Sequence, residues 1–180
     1  MLVITGTLFF FHHRGHGGHG VLLIKQKKLY VLCALCGEFP YLCSVMEKFE
    51  LHILGCGSAL PTTRHFATSQ VVNVRDKLYM IDCGEGSQLQ FRKSRLKFSR
   101  LNHIFISHLH GDHCFGLLGL ISTLNLLGRT AELHIHSPKG LETLFAPMLS
   151  FFCRQMTYKV LFHEFETKEP GMIYEDRSLT

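Results

Sequence analysis

The chain has 180 residues, of which 46% are hydrophobic and 18% charged, and its formal net charge is +5. That apolar fraction excludes an intrinsically disordered chain and suffices for one core-bearing domain, while so small a charge excess neither demands nor excludes an RNA partner. The seven cysteines, at 33, 36, 43, 56, 83, 114 and 153, are odd in number, keep no framework spacing and sit among apolar neighbours, which excludes a disulfide scaffold and points to a reducing, cytoplasmic protein.

Residues 1–45 read differently from the rest. An apolar start, Leu2 to Phe11, stops at His12-His13-Arg14, short of the roughly 18 to 20 residues a membrane span needs. It has no basic residue ahead of it and no small-residue cleavage site, so neither a membrane anchor nor a signal peptide is expected. The tract His12 to Gly20 is rich in His and Gly, Lys25 to Lys28 is basic, and no hydrophobic period is sustained. Cys33 and Cys36 form a bare CxxC with no second pair, which carries no function by itself. Met46 stands directly before a well-patterned strand. Residues 1–45 are therefore expected to be an upstream or non-native N-terminal extension, and residues 46–180 the folded domain.

From Phe49 the pattern is regular. Phe49 to Leu54 alternates as a strand, and Gly55-Cys56-Gly57-Ser58 breaks it into a loop. Val71 to Val74 and Leu78 to Ile81 flank Arg75-Asp76-Lys77 as a hairpin; Gly84-Glu85-Gly86 ends it, and a short helix starts near Ser87. His103 to Ser107 forms the next strand, followed by an apolar helix over Leu117 to Leu127 whose Gly116 and Gly119 allow close packing. Glu132 to His136 is a strand, Gly140 to Phe152 a helix and Tyr158 to Phe165 a strand. A β-meander passing into alternating strands and helices is an α+β arrangement of sheet layers covered by helices.

The strongest chemical signal is His108-Leu109-His110-Gly111-Asp112-His113, four ligand-type side chains in six positions after a buried strand. Imidazoles mixed with a carboxylate favour a catalytic divalent-metal site over a closed structural one, which usually recruits thiolates. Alternate residues of an extended loop point the same way, so His108 and His110 can share one metal while Asp112 and His113 reach a second; Gly111 lets the loop turn. Cys114 is read as a small core residue rather than a ligand. His134, His136 and His163 alternate with apolar residues in strands and are read as structural or partly exposed. Arg92, Lys93, Arg95, Lys97 and Arg100 are either an RNA-facing set or a solvated helix face. Gly84 to Ser87 is expected to form a phosphate-facing turn at a helix N-terminus.

Ile106 to Leu120, with the HxHxDH core, resembles the metal motif of ribonuclease Z, the tRNA 3′-processing endonuclease family of the metallo-β-lactamase superfamily. HxHxDH alone would name only the superfamily. Asp82-Cys83-Gly84-Glu85-Gly86-Ser87-Gln88-Leu89-Gln90, similar to the family's DCGEGTQ-type stretch, narrows it, and Gly55 to Thr62 fits its opening strand and loop. The resemblance runs from about Met46 onward. It implies a metallo-β-lactamase-like αβ/βα sandwich, of which residues 46–180 would be the N-terminal half only. It also implies two zinc ions per complete site, with His108 and His110 on one and Asp112 and His113 on the other.

In that reading Asp112 also accepts the proton of the attacking water, and Asp82 hydrogen-bonds the metal loop unless it is merely a strand-end turn residue. Arg92, Lys93 and Arg95 are the candidate RNA contacts. The partners implied are precursor tRNA and, in the full-length protein, a second copy in a homodimer. Pro61 to Phe66 departs from the family's PTKERN-like loop, leaving cleavage position and CCA discrimination open. Further ligands and the tRNA-gripping arm would follow Thr180, so the chain alone is expected to be a poor nuclease with exposed apolar surface. Two other readings remain: a hydrolase of the same fold acting on a thioester, lactam or small phosphodiester, and a non-catalytic fragment.

Overall fold

In the computed structural model the described residues are 49–57, 62, 65–166 and 171–179, together with the backbone of four short strands in the first 45 positions. These strands form two antiparallel pairs, β1 (Thr7–Phe10) with β2 (Leu22–Lys25) and β3 (Val31–Leu32) with β4 (Leu42–Cys43). The His-rich tract, the CxxC pair and Pro61, Thr63 and Arg64 lie outside the described residues.

The main sheet has six strands in the order β10-β9-β8-β7-β6-β5. β5 (Phe49–Gly55), β6 (Ser69–Val74) and β7 (Lys77–Ile81) form an antiparallel meander. Arg75 (φ 53°) and Asp76 (φ 64°) make its tight turn, the pair of positive φ values that matches the twist of a two-residue hairpin, so Lys77 already belongs to the strand. β8 (Leu101–Phe105), β9 (Leu133–Pro138) and β10 (Val160–Phe165) then continue the sheet in parallel from β7.

Each parallel step is made through a helix: α1 (Ser87–Lys93), the short α2 (Gly111–Cys114) with α3 (Gly116–Leu126), and α4 (Leu141–Phe152). Strands added in sequential order by crossovers of one hand put every crossover on the same face. Alternation along the strands follows. Leu78, Met80, Ile104, Leu133 and Ile135 join the main core with Phe91, Leu117, Leu120, Ile121, Leu124 and Phe145 from the helices. Tyr79, Ile81 and Phe105 face the other way and meet Val72, Val74 and Leu179, with Ile173 and Tyr174 packed against them.

This is a mixed sheet covered by helices on one face, the αβ half-sandwich expected. Most element boundaries move by one or two residues from expectation, and those of β8 have a clear cause. β8 ends at Phe105 rather than Ser107, because the Ser107 amide donates to the Asp82 carboxylate instead of a neighbouring strand. It starts at Leu101 because a 3-10 turn, Phe98–Arg100, delivers the chain to the sheet edge. No helix among the described residues is long and apolar enough to cross a membrane. Leu126, Leu127, Leu144, Phe151 and Phe152, on α3, α4 and the turn after α3, are exposed apolar residues of the kind expected.

Candidate metal centre

β7 and β8 are parallel neighbours, with Ile81 opposite Phe105, so the segments that follow them leave the sheet side by side at its C-terminal edge. Ligand sites of open parallel sheets are built at that edge. The two segments are tied by backbone. The Cys83 amide donates to the His113 carbonyl at 2.7 Å, and the Gly116 amide to the Cys83 carbonyl at 2.8 Å. The approach is so close that a Cβ on Gly116 would stand 2.1 Å from the Gly84 carbonyl oxygen, and one on Gly84 2.3 Å from that of Asp112. Glycine at both positions lets the metal loop dock on the segment carrying Asp82.

The loop brings the expected side chains together. One donor atom from each of His108, Asp112 and His113 lies within 4.8 Å of the other two. His108 Nε2 and His110 Nδ1 are 3.0 Å apart, near the roughly 3.3 Å between two nitrogens on one tetrahedral zinc. The aiming mechanism differs from the expected alternation: His110 is extended, but Asp112 and His113 sit on the helical turn α2, too short to leave a period in the sequence. Gly111 does not occupy positive φ. Its lack of a side chain makes room for the Phe115 ring, whose atoms would lie 2.3 to 2.7 Å from a Cβ there.

Asp82 (φ 55°) is buried beneath this loop. Its Oδ1 accepts from the Ser107 amide at 2.8 Å, and its Oδ2 accepts from Ser107 Oγ at 3.0 Å and faces His113 Nδ1 at 2.7 Å. A carboxylate only accepts, so the His113 proton resides on Nδ1 and Nε2 keeps its lone pair, 3.6 Å from Asp112 Oδ2. With its own proton on Asp82, Ser107 Oγ accepts from His108 Nδ1 at 3.2 Å, which leaves His108 Nε2 as a donor to a cation. The imidazole nitrogens of His108 and His113 and the Asp112 carboxylate form an N/O set suited to zinc and similar divalent ions, so the residues fit the metal implied by the resemblance. Ser107 was missed from sequence; a hydroxyl directly before HxHxDH was its only signal. Cys114 is buried, its Sγ donates to the His110 carbonyl, and burial raises its thiol to about 11, in keeping with a core role.

The remaining candidates stand on other segments than the metal loop. Arg92 and Lys93 occupy the last turn of α1, about 10 Å along the helix from its start, and Arg95 follows at φ 56°. All three are exposed, and Lys93 Nζ stands 5.5 Å from the centroid of the Phe66 ring. Arg100 is ion-paired to Asp76 at 2.8 Å. In the Gly84 to Ser87 turn the Gly84 and Ser87 amides are already used, by the Thr68 and Gly84 carbonyls, and the Ser87 hydroxyl also bonds Gly84.

His134, His136 and His163 are on the sheet face opposite the helices, where they join His103, a residue not singled out from sequence. His103 Nδ1 is 3.2 Å from His136 Nε2, His134 Nδ1 is 2.9 Å from His163 Nε2, and the rings stack between strands. Burial, then the neighbouring imidazoles, pushes His103 down to about 4 and His136 to about 3, so these are neutral, mutually bonded core groups at pH 7.

Two solved structures share the architecture. Human tRNase Z, short form, superposes with a TM-score of 0.60 at 36% identity, covering 63% of this chain and 44% of that one. The metallo-β-lactamase fold protein YhfI from Bacillus subtilis gives 0.52 at 17% identity, covering 68% and 47%. Sheet, crossovers and the His/Asp cluster at the strand ends thus define a metallo-β-lactamase-fold protein. The family model described as anti-Pycsar protein Apyc1 matches residues 49–157, and ribonuclease Z of Bacteroides thetaiotaomicron is 84% identical over 134 residues, 74% of this chain. The chain belongs to the family of that model and, by this identity, to the ribonuclease Z family. It spans 42% of the length of the Bacteroides relative.

Proposed function

We propose that the chain carries the first four metal ligands of a zinc-dependent endoribonuclease that removes the 3′ trailer from precursor tRNA. The observation that carries the reading is the convergence of His108, Asp112 and His113 donor atoms within 4.8 Å, in a chain of the ribonuclease Z family. His108 and His110 would hold one zinc ion, and Asp112 and His113 a second. Zinc held there would supply Lewis acidity to a water and to the phosphodiester.

The side chains do the rest. Asp112 orients the attacking water and takes its proton on a carboxylate oxygen. Asp82 fixes the His113 tautomer and, through Ser107, that of His108, so neither ring must reorient to bind metal. Water attack on phosphorus after the discriminator nucleotide leaves a 3′-hydroxyl on the tRNA and a 5′-phosphate on the trailer. Arg92, Lys93 and Arg95 are the RNA-facing cations in this reading. Residues 46–180 are part of the catalytic domain and residues 1–45 lie outside it. The whole protein acts in the cytoplasm as a homodimer, an assignment that rests on the family resemblance and the cysteine pattern.

The test is cleavage of a 3′-extended precursor tRNA by the chain mixed with the C-terminal portion of the Bacteroides relative, with product ends mapped. A single cut leaving a 3′-hydroxyl supports the reading. Hydrolysis of a thioester or lactam with the tRNA left intact would overturn it, as would a chain that neither binds zinc nor cleaves in the mixture.

A further inference from the structure

Phe115 is a large aromatic side chain left 71% exposed two residues after His113. It caps the start of α3, whose buried face is filled by Leu117, Leu120, Ile121 and Leu124, so position 115 falls on the outer side. The ring lies across Gly111, close enough that any Cβ there would collide with it, and no other aromatic ring among the described residues stacks on it. Gly111 sits between His110 and Asp112, so the ring is held beside both ligand-bearing positions. Phe66, with Lys93 above its ring, packs against Gly86 in the segment on which the metal loop docks. Exposed aromatic surface is what single-stranded nucleic acid stacks its bases on, with cations following the backbone.

We propose that Phe115 is the stacking platform for the nucleobase flanking the scissile phosphodiester. The inference rests on the reading of this site as an RNA-cleaving one, and it adds a substrate-positioning residue outside the ligand set. A phenylalanine side chain has only two torsions to fix, so stacking on its ring costs little conformational freedom. Any base has a π-face, so the contact holds position without reading sequence, as suits an enzyme acting on many precursors.

The experiment uses the 180-residue chain and a short single-stranded RNA carrying 2-aminopurine, whose fluorescence is quenched on stacking. Wild type and Phe115→Trp should bind and quench. Phe115→Ala and Phe115→Leu should bind about 5- to 100-fold more weakly and lose the quench, with unchanged circular dichroism. Leucine binding as well as phenylalanine, or alanine without effect, overturns the platform while leaving the RNA reading intact. So does a Phe115→Ala variant whose only change is a smaller oligomer, which would mean that the ring packs against a second copy. A wild-type chain that neither binds nor quenches the RNA overturns the platform, while the nuclease reading is decided separately by cleavage in the reconstituted mixture.

Discussion

Asp82 Oδ2 lies 2.7 Å from His113 Nδ1, and both side chains are buried. The same carboxylate accepts from the backbone and hydroxyl of Ser107, so one residue at the end of β7 sets the orientation of the loop after β8. Asp82→Asn keeps the backbone conformation, since asparagine tolerates positive φ, and its amide oxygen can still take the Ser107 amide. It cannot offer a carboxylate oxygen to His113 Nδ1. Zinc affinity, measured against a chromophoric chelator, should fall about 10- to 100-fold while urea stability changes little. Asp82→Ala should add about 1–3 kcal/mol of destabilisation from the orphaned Ser107 amide. Wild-type zinc affinity in the asparagine variant would remove Asp82 from the site.

Asp112→Ala, in the full-length protein or the reconstituted mixture, should lower precursor cleavage about 10²- to 10⁴-fold, the range of a lost general base, or more through the lost ligand. Precursor binding by gel shift should stay near wild type. A loss of binding as deep as the loss of turnover would contradict the role given to this carboxylate.

Neutralising Arg92, Lys93 and Arg95 together should weaken RNA binding at every sequence tested and flatten its salt dependence. The log–log slope should drop by about 0.7 to 0.9 for each phosphate contact removed. An unchanged slope would leave these residues as a solvated helix end.

The histidine face makes stability fall in acid. His103 and His136 titrate at about 4 and about 3 in the folded chain, against about 6.5 unfolded. The unfolded chain therefore binds more protons between these values, and stability, full above pH 6.5, declines as pH falls toward 3. The slope reaches up to about 1.4 kcal/mol per pH unit for each imidazole kept neutral. His134 and His163 on the adjoining strands, with Lys77, oppose charge here. Asp176, which burial alone would raise, is held well below the usual carboxylate range by Tyr79 and the amides of Leu179 and Ser178, and stays ionised through the window. Denaturant titrations at stepped pH should show the decline, and His103→Phe with His136→Phe should flatten it. A double variant that tracks the wild-type slope would assign the loss elsewhere.

Gly116→Ala should cost about 1–3 kcal/mol, because its Cβ would meet backbone at 2.1 Å and push the metal loop off the Asp82 segment, and zinc affinity should drop with it. Gly128→Ala makes the contrast. Nothing lies within 4 Å there, so only the strain of φ 72° applies, about 1–2 kcal/mol, with zinc affinity unchanged. Equal effects on zinc would show that the loop does not depend on close docking.

The six positions from His108 to His113 were legible as a metal motif because ligands crowded into one loop need no tertiary structure to become neighbours. The strands and helices from Phe49 onward were legible for a similar reason, since period-two and helical patterns are local. Asp82 was readable only as one end of a resembling motif. Its hold on His113 across 31 positions exists because β7 and β8 pair in parallel and release their ends side by side. His134, His136 and His163 looked like isolated alternations; the register of β8, β9 and β10 stacks them with His103 into one cluster. What the chain determines alone is which chemistry stands on each short segment. Which segments meet, which proton each ring carries and which aromatic ring stays exposed beside the metal loop were decided by the sheet, because crossovers bring together residues some thirty positions apart.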